Sequence, residues 1–346
     1  MTGADRGREL GLGEAADFAI EHAMATDPRV IVFGEDVPMI RRNLLVRFGP
    51  GRVRGTPISE SAFLGAGVGA AMAGLRPIVE VMLVDFLAVG LSALQNEAAK
   101  LETLSGGRWK APIVVRATCG GGYGDAGQHE QALWGLLAGI PGLSVVVPSN
   151  PADAAGLMRA AIEAEGPVVY LEHKLLSAMW LEWLGGSRRA TVTFDVPPEG
   201  ATGVVADPPE FVPIGQARIR REGPDLVIVS VGVGVHRSLA AAECLAATHH
   251  LEATVIDLRT VTPLDVAAIR TAAAHTHRVL VVDEDFIAFG LSGEVAAVVA
   301  ETEPGVRFAR VAAEQAIPYA RALEATILPS VERIVTRSLA LCSQAV

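Results

Sequence analysis

Three features of this sequence predict an α/β fold of two domains, each a mainly parallel sheet wrapped by helices. Runs of β-branched residues alternate with Ala-rich helical patterns along almost the whole chain. The runs are apolar throughout, as strands covered on both faces are. One Pro- and Gly-rich stretch breaks the pattern near the middle. The chain has 346 residues, and roughly 150 residues per domain makes two cores the expectation.

In order, the first half predicts strands at residues 30–33, 77–83, 112–118, 143–148 and 167–172. Helices are expected between them, near residues 13–25, 60–74, 86–104, 129–137 and 151–164. From Gly185 to Pro213 the pattern stops, and five prolines and four glycines mark a linker. A second set of apolar runs follows, beginning near Asp225, Glu252, Arg278 and Val306. The domains are therefore placed at 10–184 and 214–340, with 185–213 joining them.

A formal net charge of −10 disfavours a nucleic-acid partner, which needs clustered Lys and Arg. Cys119, Cys244 and Cys342 lie far apart without a C-x-x-C pair, so neither zinc nor a disulfide framework is indicated. Acidic residues scattered from Asp5 to Asp17 leave no room for a secretory h-region. Charges such as Arg76, Glu80 and Asp85 interrupt every long apolar run, which argues against a membrane span. A cytoplasmic protein is the expectation.

Two motifs invite chemistry. Gly122, Gly124 and Gly127 form G-x-G-x-x-G after a strand, but the next strand ends "VVVPSN" without the acid that a dinucleotide ribose requires. The second is "TPISE", where Glu60 precedes an uncharged run rich in Gly and Ala. Ser59 or Ser61 capping a helix, with an acid in its first turn, would account for it electrostatically. Small residues would equally let backbone approach a ligand closely, beside a partly desolvated carboxylate.

The segments "VIVFGEDVP", "RVRGTPISESAFLGAGVGAAMAGLRPIVEVMLVDF", "NEAAKLETLSGG", "GQHEQ" and "EHK" occur in collinear order. Together with "VIDLRTVTPLD" and "RVLVVDEDFIAFGLSGEVAA" they closely resemble the β subunit of the thiamine-dependent first component of 2-oxo acid dehydrogenase complexes, of the pyruvate, branched-chain and acetoin types. The resemblance runs from about Glu14 to Ile334. It implies a pyrimidine-binding domain followed by a transketolase C-terminal-type domain. It also implies that Glu60 exchanges a proton with the aminopyrimidine of thiamine diphosphate and so activates the thiazolium carbon. Phe86 matches the ring that stacks on the aminopyrimidine, and Met82 a neighbouring apolar contact. His129 matches a histidine at the active-site entrance that assists acyl transfer, and Glu35 an acid in a polar channel between cofactors.

Departures accompany the match. Glu130, Gln131, Ala132 and Leu133 follow His129 where many relatives carry Ser, Gln, Ser and Pro, which leaves the acyl acceptor open. Potassium, bound in many relatives, would need the carbonyls of Ile113, Ala161 and Ile162, yet Ala164 stands where an Asp is expected. No magnesium–diphosphate segment is present, so the resemblance implies an α subunit holding Mg2+ and the diphosphate in an α2β2 assembly. A lipoyl acyltransferase or a carrier protein would take the acyl group from a small-molecule 2-oxo acid. Asp283, Glu284 and Asp285 are candidates to face such a basic partner. Acetoin cleavage, a biosynthetic two-carbon transfer and a non-catalytic scaffold are the alternatives; a nicotinamide dehydrogenase is disfavoured by the missing ribose acid.

Overall fold

The computed structural model describes residues 7–122, 124–177 and 202–343. Its strands in chain order are β1 (Arg8–Gly11), β2 (Val30–Glu35), β3 (Val53–Thr56), β4 (Arg76–Leu83), β5 (Val114–Cys119), β6 (Ser144–Val146) and β7 (Val168–His173). Then come β8 (Thr202–Val205), β9 (Arg218–Arg221), β10 (Leu226–Ser230), β11 (Ala253–Asp257), β12 (Thr260–Thr262), β13 (Arg278–Phe286) and β14 (Arg307–Ala313). Each strand expected from sequence in either half has its counterpart here.

The first sheet has the order β12-β6-β7-β5-β4-β2-β3, parallel except at β12–β6. Its strands divide their side chains between two cores, as a period of two requires. Ile78, Val114, Val168 and Tyr170 join the core that holds helices Leu12–Thr26 and Pro151–Glu163, while Val79, Val115 and Val169 join the core that holds helix Glu60–Met72. Asn150 caps the 151–163 helix by accepting from Asp153 N–H at 3.1 Å, with Pro151 opening its first turn.

The second sheet, β14-β13-β10-β11-β9, is parallel except at β11–β9. The domains share one apolar cluster, in which Val145 and Val147 join Val229, Leu258 and Val281. β12, from the second half of the chain, pairs with β6 at the edge of the first sheet. Residues 178–201, which include the start of the expected linker, lie outside the described residues. Its described part contains β8, which pairs antiparallel with β1, and Val212 N–H bonds the Gly156 carbonyl on the 151–163 helix.

Two helices differ from expectation. Residues 86–104 are not one helix: a 3-10 segment over Val84–Gly90 is followed by a π turn over Ala93–Ala98 and a short α turn over Leu101–Leu104. This segment approaches the helix Glu60–Met72 closely at Gly90, where a Cβ would lie 2.4 Å from Leu64 Cδ1 and 3.0 Å from the Glu60 carbonyl oxygen. The expected helix at 129–137 covers only Trp134–Ala138, because Ala126 and Leu133 take left-handed conformations. His129 therefore sits in a loop, not at a helix start.

Candidate active site

Glu60 opens the first turn of its helix and is only 8% exposed. Ser59 occupies the capping position, yet its hydroxyl donates to the Pro57 carbonyl at 3.2 Å and caps nothing. Among the described residues the Glu60 carboxylate has no side-chain hydrogen bond or ion pair, and its oxygens keep contact with solvent although the residue as a whole is buried. The helix can lie this close to the sheet because Gly67 has no side chain: a Cβ there would meet Val79 at 2.6 Å and Ile113 at 2.8 Å.

Glu35 ends β2, next to Asp36 in the left-handed region. Burial pushes its carboxyl up, and the charges of Asp36 and Glu60 push the same way. Glu35 and Glu60 are thus brought within each other's field. Glu35 and Met82 line one narrow pocket with Arg41, Glu80, Arg116 and Thr118. Under it Arg41 clasps Glu80 through two bonds of 2.7 and 2.8 Å, and Arg116 bonds Asp17 at 2.5 Å and also Glu172. This buried network was missed in sequence; charges in the middle of three apolar strands (Glu80, Arg116 and Glu172) were the available signal.

The turn that packs on Glu60 through Gly90 carries Phe86, and Phe86 meets His129 edge to face, with centroids 5.8 Å apart and planes at 82°. Both side chains are half-buried. The Lys174 ammonium, 1% exposed, donates to the His129 carbonyl. Burial pulls Lys174 down, against the acids Glu130, Asp125 and Asp85. Asp85 is pushed up by burial, partly offset by Gln131, which donates to it at 2.6 Å. Asp85 Oδ2 is buried without a hydrogen-bond partner among the described residues. Lys174 and Asp85 went unassigned in sequence, although "EHK" and "VDF" contain them.

The Gly-rich loop is occupied by protein carboxylates. Gly121 N–H donates to Glu284 Oε1 at 2.7 Å and Gly122 N–H to Glu324 Oε1 at 2.6 Å. Gly120, at φ +91°, abuts His173 so closely that a Cβ would fall 2.0 Å from Nε2. The expectation that Asp283, Glu284 and Asp285 face a partner is corrected: all three are buried. Trp134 Nε1–H and Ser292 N–H satisfy Asp283, and Gly135 N–H satisfies Asp285. Burial and the Asp285 charge raise Asp283 to about 7. Burial also opposes the Glu284 charge, but His173, Arg237 and the Gly121 amide outweigh it and hold that carboxyl at about 2.

Potassium does not fit the carbonyls expected to bind it. Arg76 Nη1 donates to the Ile162 carbonyl at 2.8 Å and to that of Ala164 at 2.9 Å. The Ile113 carbonyl accepts the Val168 N–H at 2.9 Å within the sheet. Ala161 lies in the last turn of the same helix. A metal cation at the Ile162 carbonyl would face the Arg76 guanidinium at contact distance, so Arg76 is the cation that oxygen already holds.

Residues 9–178 match the transketolase pyrimidine-binding domain family, and residues 215–334 match the transketolase C-terminal domain family. The chain belongs to the transketolase-like family. Its homologues are β subunits of 2-oxo acid dehydrogenase complexes. It is 39% identical over 294 residues to 2-oxoisovalerate dehydrogenase subunit beta of Bacillus subtilis, covering 83% of each chain. It is 38% identical to the mitochondrial pyruvate dehydrogenase E1 component subunit beta-1 of Arabidopsis thaliana, covering 97% of this chain and 90% of that one. Acetoin:2,6-dichlorophenolindophenol oxidoreductase subunit beta of Cupriavidus necator is 35% identical, at 94% and 96% coverage. In fold it is similar to a split-gene transketolase solved as an inactive beta4 tetramer, with a TM-score of 0.78 at 20% identity over 96% of this chain and 99% of that one.

Proposed function

We propose that the chain is the β subunit of a thiamine-diphosphate-dependent 2-oxo acid dehydrogenase, acting with an α subunit as an α2β2 tetramer in the cytoplasm. The observation that carries this reading is Glu60, a carboxylate on a buried residue that has no side-chain partner among the described residues. Such a group fits a heteroaromatic nitrogen that arrives with the cofactor and takes or gives a proton. Phe86 and Met82 would hold the aminopyrimidine ring, with Glu35 behind Glu60. Magnesium and the diphosphate would be held mainly by the α subunit.

When bound, the cofactor supplies the electron sink for cleaving the carbon–carbon bond beside a ketone. The chain's own part is narrower. Glu60 holds or releases a proton at its carboxylate oxygen, and the turn from Phe86 to Gly90 packs against the backbone of its helix turn. His129 stands at the rim, where its ring can donate to an acyl oxygen as the group passes to a lipoyl acceptor.

The test pairs the chain with its α subunit, thiamine diphosphate, magnesium and a panel of 2-oxo acids plus acetoin, read by dye reduction. Wild type should turn over a 2-oxo acid, and Glu60→Gln should lower kcat by about 10²- to 10⁴-fold. Undiminished turnover in that variant would overturn the role of Glu60. Turnover of acetoin in place of every 2-oxo acid would select the acetoin-cleaving reading, which the 35% identity to an acetoin enzyme keeps in play.

A further inference from the structure

The loop from Gly120 to Gln131 carries His129, and the C-terminal domain supplies four of its backbone anchors. Glu284 accepts from Gly121 N–H at 2.7 Å, and Glu324 Oε1 accepts from Gly122 N–H at 2.6 Å and from Gly124 N–H at 3.5 Å. The Ile317 carbonyl accepts from Gly127 N–H at 2.9 Å. Its own domain contributes Lys174 at the His129 carbonyl and Asp85 at Gln131. Leu328 presses on Gly121, where a Cβ would lie 2.8 Å from Cδ1.

Glu324 is fully buried on the helix Arg321–Ile327, and its other oxygen accepts from Arg321 at 2.7 Å. A buried carboxylate that accepts backbone N–H groups makes charge-assisted bonds, stronger than neutral ones. Removing it takes the acceptor at 2.6 Å from the Gly122 amide and a second, longer contact from Gly124. Glu284 also serves the loop, but His173 and Arg237 depend on it too, so its loss would disturb more than the loop. Glu324 is the cleaner handle.

We propose that Glu324 is a positioning residue for His129: by holding the Gly122 and Gly124 amides, it lets the C-terminal domain set the histidine against Phe86. The catalytic consequence rests on the role given to His129 above; the effect on the loop does not.

The test uses the assembled α–β complex with Glu324→Ala and Glu324→Gln. Hydrogen–deuterium exchange at residues 120–131 should rise at least about tenfold in the alanine variant, with β4 and β5 unchanged. Glutamine keeps an oxygen acceptor without the charge and should give a smaller rise. In acyl transfer to a lipoyl acceptor, Glu324→Ala should lower kcat at unchanged KM for the 2-oxo acid. It should cost nothing further when added to His129→Ala.

Wild-type exchange in the loop, or an equal rise throughout the sheet, would overturn the proposal. If the alanine chain does not fold, the glutamine variant decides: a rise confined to the loop supports the proposal and no rise overturns it. A loosened loop in an enzyme whose wild type turns over no 2-oxo acid would leave the positioning intact and remove the proposed function. An active wild type with an unmoved loop would do the reverse.

Discussion

At Glu35 the shift of a single carboxyl has a readable sign. Burial first, then Asp36 and Glu60, raise it in the folded chain. An acid raised on folding favours the fold below its unfolded value and costs stability above it. That cost sets in as pH climbs past about 4 and is complete once pH exceeds the raised folded value. Glu35→Gln should therefore raise Tm slightly at pH 7, an advantage that vanishes in melts below pH about 4. Single residues were also where sequence reading divided most sharply. Glu60, Phe86 and His129 were singled out from motifs that resemble the family's, and the structure brings Phe86 and His129 into contact. The acids 283–285 read as surface, since charge normally means solvent. Only the fold shows that the amides of Gly121 and Gly135 and the Trp134 indole come to meet them.

The helix Glu60–Met72 shows why small residues differ along one element. Gly67 faces Val79 and Ile113 at 2.6 and 2.8 Å from a would-be Cβ, whereas Gly69 is exposed with nothing within 4 Å. Alanine improves a helix interior over glycine by about 0.5–1 kcal/mol, while overpacking a core costs about 1–3 kcal/mol. Overpacking wins at the first site. Gly67→Ala should lose about 1 kcal/mol and Gly69→Ala should gain about 0.5 kcal/mol in denaturant melts of the purified chain. Apolar strands were easy to place because double burial leaves a plain mark in sequence. The 84–104 segment was not, because its Ala- and Leu-rich composition reads as one helix, whereas the chain forms 3-10, π and α turns in succession.

Across the whole molecule the two halves are knitted together by buried polar links as well as by the shared apolar cluster. Ser149 donates to Asp257 at 2.5 Å, Arg259 to Asp153 at 2.5 Å, and the His236 ring contacts the Ser149 carbonyl at 2.6 Å. Two α/β domains were legible from chain length and the repeated strand and helix pattern; the exchange of β12 into the first sheet was not, since a three-residue strand leaves no periodicity to read. That short strand has a practical consequence. A gene cut at the apparent boundary would yield an N-terminal product with a raw sheet margin at Val145 and Val146, where Thr260 and Thr262 belong. Unpaired margins recruit other chains. Such a fragment should come from the ribosome sticky, forming aggregates in light scattering that the intact polypeptide avoids by carrying its own selvedge.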